Sequence, residues 1–318
     1  MRWIWAWLVA GMMVGCVACS DDSSSSSPEH VVTLAEVSSP IVEVAGSVWV
    51  LVGDAAIEFD AATRERRREV DLGGGGSNSL DVEGGVVWAM GIFGAARLDT
   101  ASGAVASNER AYRSLATVGG RLFGFSDGDL YEIDPATAED LGQVLLPPNS
   151  NGSEYEVVGV PLITVDNMLW VTVADGDFAF AAFDPQTGKF ATKVRLDDSY
   201  ASAVLVGDVI WLADRYGKAV IVDAATGESL DGTVALPVGT TILDSTGSLF
   251  VGSDDTLWLL DQPAQDVYQL DPRTGAVLGS FHLQRRPSAM VITATELWFT
   301  NPYDDGLTVL PRSALQPG

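Results

Sequence analysis

Ala201 to Val206, Val209-Ile210-Trp211-Leu212-Ala213, Ala219-Val220-Ile221-Val222-Asp223 and Leu230 to Leu236 are four short apolar runs that decide the fold. Each is rich in β-branched or aromatic residues, and Gly- or Asp-containing turns separate them. The third run leads into Asp223-Ala224-Ala225-Thr226-Gly227. The same phrase recurs along the chain. Val48-Trp49-Val50-Leu51 is followed by Phe59-Asp60-Ala61-Ala62-Thr63, Val87-Trp88-Ala89-Met90 by Leu98-Asp99-Thr100, and Leu122-Phe123-Gly124-Phe125 by Ile133-Asp134-Pro135-Ala136-Thr137. Leu169-Trp170-Val171 leads to Phe183-Asp184-Pro185-Gln186-Thr187-Gly188, and Leu257-Trp258-Leu259 to Leu270-Asp271-Pro272-Arg273-Thr274-Gly275. Leu297-Trp298-Phe299 with Leu307 to Leu310 is the last copy. Seven β-rich repeats at roughly 35–50 residue spacing predict an all-β, seven-bladed propeller of four-stranded antiparallel blades.

Composition agrees with one such body. Of the 318 residues, 43 are acidic and 18 basic, a formal charge of −25. That field repels nucleic acid and anionic lipid heads, and it attracts cations and basic proteins. Acidity also keeps a large β-protein soluble and discourages edge-to-edge pairing. Gly falls mostly between the apolar runs, where hairpins need it.

The chain opens with Met1-Arg2-Trp3-Ile4-Trp5-Ala6-Trp7 and continues apolar to Gly15, a positive charge before a stretch too short for a lasting membrane helix. Both cysteines, Cys16 and Cys19, stand at its end, so the body has no cysteine for a disulfide. This arrangement resembles a bacterial lipoprotein signal, in which a cysteine after a small residue is lipidated. Met13-Val14-Gly15-Cys16 fits best, with Cys19 as the alternative because it directly precedes Ser20-Asp21-Asp22 and Ser23 to Ser27. The resemblance implies an exported protein hung from the cell envelope, at the outer membrane and facing the periplasm or the surface. The expected organisation is a signal peptide over 1–15, a flexible tether over 16–30 and one propeller over 31–318. The Ser-rich tether should span roughly 20 Å.

Trp recurs on the second strand of the repeats, where a large flat side chain fills the gap between neighbouring blades. The Asp-Pro/Ala-x-Thr-Gly phrase reads as a turn between third and fourth strands. Asp caps it, Pro presets φ, and Gly accepts positive φ. Val209 to Asp214 leading to Val220-Ile221-Val222-Asp223, and Arg286 to Val291 leading to Leu297-Trp298-Phe299-Thr300-Asn301, resemble the YVTN-repeat, quinoprotein-like (PQQ-like) propeller group. That group hosts binders, scaffolds and a few enzymes, so the likeness implies the fold more than an activity.

The seventh repeat ends after three strands: Ala289 to Thr293, Glu296 to Thr300 and Gly306 to Leu310. Val31 to Val37 precedes the first inner strand, Ile41 to Val44, and is expected to close the last blade as its fourth strand. Gly73 to Ser79, Pro147 to Glu156 and Pro237 to Thr246 break the pattern. All three follow a fourth strand, so they should emerge on one face.

That face also takes the second-to-third turns, which carry Asp54, Asp127 with Asp129, Asp175 with Asp177, Asp214-Arg215-Tyr216, Asp261 to Asp266, and Asn301-Pro302-Tyr303-Asp304-Asp305. Blade two interrupts the series with Gly91-Ile92-Phe93-Gly94. The broken ring of carboxylates, with Arg215, Tyr216 and Tyr303, suits a basic protein or peptide partner. Turn formation alone explains the same residue types. No cofactor motif is legible, and calcium is the one candidate ion. Calcium needs six to eight oxygens converging within about 2.6 Å, more than Asp127-Gly128-Asp129 or Asp175-Gly176-Asp177 supplies locally.

Catalytic signals are few. The two histidines are His30 and His282, one at the tether's end and one on an outer strand. The resembling streptogramin lyases use a histidine near the central channel, and no inner strand here contains one. No nucleotide loop or His/Cys metal constellation is present. The sequence therefore reads as a noncatalytic binding or scaffold module. The alternative is a hydrolase or lyase that uses carboxylates and a divalent ion in the central channel.

Overall fold

The computed structural model describes residues 28–34, 37–73, 77–148, 156–158, 162–175, 177–196, 202–214, 216–238, 248–252 and 254–317. They form seven antiparallel sheets arranged as the blades of a propeller. Blade five is built from Ser202–Val206, Val209–Ala213, Lys218–Asp223 and Ser229–Ala235, paired in that order. The second strand of each blade is the most enclosed. Six tryptophans there, Trp49, Trp88, Trp170, Trp211, Trp258 and Trp298, have relative exposures of at most 1%. Phe123 takes the place in blade three.

The hydrophobic core is divided as a ring. The described buried residues fall into seven clusters, and each spans the seam between two adjacent blades. Trp298 of blade seven, for example, packs with Val48, Val50 and Phe59 of blade one. A blade thus buries its faces only against neighbours, so an unclosed ring would leave two apolar faces in water.

Closure comes from the chain's start. His30–Thr33 pairs antiparallel with Gly306–Pro311, His30 opposite Val309 and Thr33 opposite Gly306. The strand is shorter than Val31 to Val37 and starts one residue earlier. Leu34 donates its N–H to the Asp305 carbonyl at 2.9 Å, which ends the ladder. Val37 already belongs to blade one's inner strand, Val37–Val44, and is buried in the seam with blade seven. Similarly, Ser77–Glu83 is the inner strand of blade two, so the irregular stretch before it ends sooner than Ser79. Glu156–Val157 is a short extra strand on blade four's second strand, Met168–Asp175. The remaining irregular residues of these stretches, among them 74–76, 149–155 and 239–247, lie outside the described residues.

The chain's end adds a second fastening. After Gly306–Pro311 a short 3-10 turn, Arg312–Ala314, carries the chain back to blade six. There Gln316–Pro317 pairs with Ser280 and Gly279 of the outer strand. Ala314 and Leu315 pack on the cluster between blades six and seven.

Candidate functional site

In an antiparallel meander the two ends of a blade carry different connections. One end holds the third-to-fourth turns, and it is nearly uniform. Asp60, Asp99, Asp134, Asp184, Asp223 and Asp271 each accept backbone N–H groups from the residues two and three positions on. Those bonds hold all six carboxyls below the ordinary Asp range. The backbone N–H three along is the leading cause at Asp60, Asp99, Asp134 and Asp223, and a Thr hydroxyl leads at Asp184 and Asp271.

The turn glycine is demanded twice over. Gly275 has φ +72°, and a Cβ there would lie 2.7 Å from Val234 Cγ1 and 3.0 Å from Trp211 Cη2 of blade five. Arg64 and Ala138 hold the same left-handed conformation without being glycine. These turns also fasten the seams. Trp211 Nε1 donates to Pro272 O at 2.7 Å, Arg97 Nε to Pro135 O at 2.6 Å, Arg121 Nη1 to Pro185 O at 2.9 Å, and Arg68 to Thr100 O. At the closing seam the polarity reverses: Arg64, on blade one's turn, pairs with the buried Glu296 of blade seven. Blade seven has no such turn, and there Arg312 Nη2 meets Asp254 Oδ2 of blade six at 2.8 Å.

The opposite end carries the second-to-third turns and the fourth-to-first connections, and its turns differ from one another. Asp54, Asp127, Asp304 and Asp305 are exposed, as are Tyr216 (53%) and Tyr303 (75%). Asp129 is half-buried, and Asp177 is exposed beside Arg195 at 3.0 Å. Arg286 lies over the Tyr303 ring at 5.1 Å from its centroid, so positive charge enters the face at blade seven.

Three of the anticipated residues face inward. Asn301 is fully buried, its amide donating to Arg286 O at 3.2 Å and accepting from Thr308 Oγ1 at 2.9 Å. Asp214 is 5% exposed and accepts the Tyr216 and Lys218 N–H groups, both at 2.8 Å. Asp261 is also buried and accepts the Ala264 N–H at 3.2 Å. These side chains build turns. Asp175 pairs with Asp177 across the hairpin through its backbone. Arg215, Cys16, Cys19 and the side chain of Asp175 lie outside the described residues.

Around the central axis, one carboxylate pair stands out that the sequence reading did not single out. Asp81 and Glu83 alternate on blade two's inner strand and reach across to blade three. Asp81 accepts the Val82 N–H at 2.8 Å and the Leu115 N–H, and Glu83 accepts from Thr117. Asp81 as a residue is only half-buried, yet its carboxyl is enclosed by protein. Enclosure first, and the Glu83 charge second, push the Asp81 carboxyl up to about 7. Glu83 is raised too, chiefly by burial. Period-two acids directly before Gly84-Gly85 were the available signal, lost in a chain with 43 acids.

Among the described residues, no group of three or more His, Cys, Asp or Glu side chains converges as a metal site would require. Both histidines sit on the fourth strand of a blade. His30 starts the closing strand, and His282, on blade six, has Nδ1 2.8 Å from Asp266 Oδ1.

Comparison with known proteins follows the same lines. Residues 23–233 match the family described as outer membrane protein assembly factor BamB. The structure of BamB from Moraxella catarrhalis is 16% identical and superposes with a TM-score of 0.54, covering 86% of this chain and 84% of that one. A catalytically inactive virginiamycin B lyase from Staphylococcus aureus with quinupristin is 15% identical (TM-score 0.67; 89% and 98% covered). A chain of the mitotic checkpoint complex is 12% identical (TM-score 0.67; 98% of each chain). At such identities the likeness establishes the fold alone. No curated protein matches the sequence. The match over residues 23–233 places the chain in the BamB family of PQQ-like propellers.

Proposed function

We propose that this member of the BamB family is a noncatalytic docking module of the bacterial cell envelope that takes a basic protein or peptide partner on its varied turn face. The observation that carries this reading is the use made of the carboxylates. On the uniform face they hold backbone N–H groups. On the varied face Asp127, Asp304 and Asp305 stand exposed in the turns. Exposed like charges on one face steer an oppositely charged partner and speed its encounter. The family's description as an outer membrane assembly factor supports an envelope setting.

The test is affinity capture from the protein's own membranes, with wild type beside an Asp127→Lys, Asp304→Lys, Asp305→Lys variant. A partner retained by wild type and lost by the variant is expected. Identical captures would overturn the reading. Attachment is assigned to a lipid on Cys16, with Cys19 as the alternative. A Cys16→Ala, Cys19→Ala protein should leave the membrane fraction, and its continued sedimentation with membranes would refute the anchor.

One observation favours a second reading. An enclosed carboxyl near neutrality beside another carboxyl is the arrangement general acid–base chemistry uses, and Asp81 with Glu83 supplies it at the channel. If the channel were catalytic, Asp81→Asn would abolish turnover in a screen of hydrolase and lyase substrates while leaving partner capture intact.

A further inference from the structure

The turn between Val86–Gly91 and Gly94–Leu98 in blade two departs from its counterparts. Its tip is Ile92-Phe93, 66% and 68% exposed, where the neighbouring blades present Gly53-Asp54 and Asp127-Gly128. Neither side chain belongs to any of the seven seam clusters, so the fold makes no use of them.

The tip is held firmly. Gly91 pairs with Gly94 across the hairpin, and Gly94 has φ +147°. A Cβ on Gly94 would come within 2.2 Å of the Asn108 carbonyl oxygen, so the turn is pressed against blade two's own fourth strand. Two large apolar side chains on a short, clamped hairpin lose little freedom when a partner covers them. An apolar centre with a charged rim is the anatomy of a protein interface, with aromatic anchors carrying most of the affinity. Here the rim is acidic: Asp54 on one flanking blade, Asp127 and Asp129 on the other.

We infer that Ile92 and Phe93 are the apolar anchor of the docking face, and that the segment they receive is basic and amphipathic. Its apolar side chains cover the tip while its Lys or Arg residues meet the aspartates of blades one and three. The inference rests on the reading of this face as a docking surface.

The test uses the full chain and two labelled synthetic peptides, one alternating Lys with Leu and one alternating Lys with Ser, followed by fluorescence anisotropy. Wild type should bind the Lys–Leu peptide about tenfold or more tightly than the Lys–Ser peptide. An Ile92→Ser, Phe93→Ser variant should keep its Tm, because both side chains are exposed, and should bind the two peptides alike. An undiminished preference in that variant overturns the anchor while leaving the acidic face in place. An Asp127→Asn, Asp129→Asn variant should weaken both peptides together. If it weakens neither, or if wild type binds neither, the docking face itself fails and the anchor with it.

Discussion

The two ends of the propeller are built from the same residue types and use them differently. At one end, six aspartates repeat a single hydrogen-bonding scheme and their turns lean on the preceding blade. At the other, successive turns vary in length, burial and charge, and several carboxylates are exposed. Repetition marks what the ring needs in order to close on itself. Variation marks where one blade differs from the next, which is where a specific partner can be told from a nonspecific one.

Blade seven breaks the uniform end, since its outer strand comes from the N-terminus and no Asp turn joins third to fourth strand. Deleting residues 28–34 removes that ladder and withdraws Val32 and Leu34 from the closing seam. The expected loss is the largest available, a fall in Tm of about 10 °C or more. An unchanged Tm by calorimetry would show that closure does not depend on this strand.

The reversed ion pair at the same seam comes next. Arg64→Ala strands Glu296, whose side chain is 11% exposed. The expected cost is about 2–3 kcal/mol in denaturant unfolding, discounted from a fully buried pair because Arg64 is 29% exposed. A cost below about 0.5 kcal/mol would mean that solvent screens the pair.

Asp81 tests the ring from its centre. Its folded pKa, about 7, lies above the ordinary value of 3.8, so the folded state holds a proton that the unfolded state has released. That contribution is complete below pH 3.8 and is lost as pH rises through about 7. Asp81→Asn should therefore flatten this part of the stability–pH profile and raise stability at pH 8 by roughly 1–2 kcal/mol, discounted from the about 4 kcal/mol of the full interval because Asp81 as a residue is only half-buried. The same profile in both proteins would contradict the enclosure of this carboxyl.

The smallest effect separates the two ends directly. Asp184→Ala removes a turn cap and should lower Tm by a few degrees. Because the folded carboxyl is held below its usual range, its contribution is present above the unfolded pKa and fades as pH falls through the folded value. Asp127→Asn on the varied end should leave Tm unchanged, since Asn tolerates the left-handed φ of +50° found there.

The blades were legible because period-two runs, a second-strand Trp and an Asp turn coincide in five of the seven repeats, blade three having Phe123 for the Trp and blade seven lacking the turn, and each feature has its own physical cause. Closure could be argued from the missing strand of blade seven. The second fastening was not readable: Gln316–Pro317 is two residues long, includes a proline and carries no alternation. At the candidate face the obstacle was chemical ambiguity. Asp214, Asp261 and Asn301 resemble Asp127, Asp304 and Asp305 in sequence, because short polar side chains suit turns whether they point inward or outward. Burial alone separates the two groups.

The most direct test measures stability and binding on one protein, an Asp127→Asn, Asp304→Asn, Asp305→Asn variant of the full chain. Thermal unfolding should match wild type, while affinity for the Lys–Leu peptide at low salt should fall about tenfold. A lowered Tm with affinity retained would contradict the account, because those aspartates would then serve the ring and not a partner.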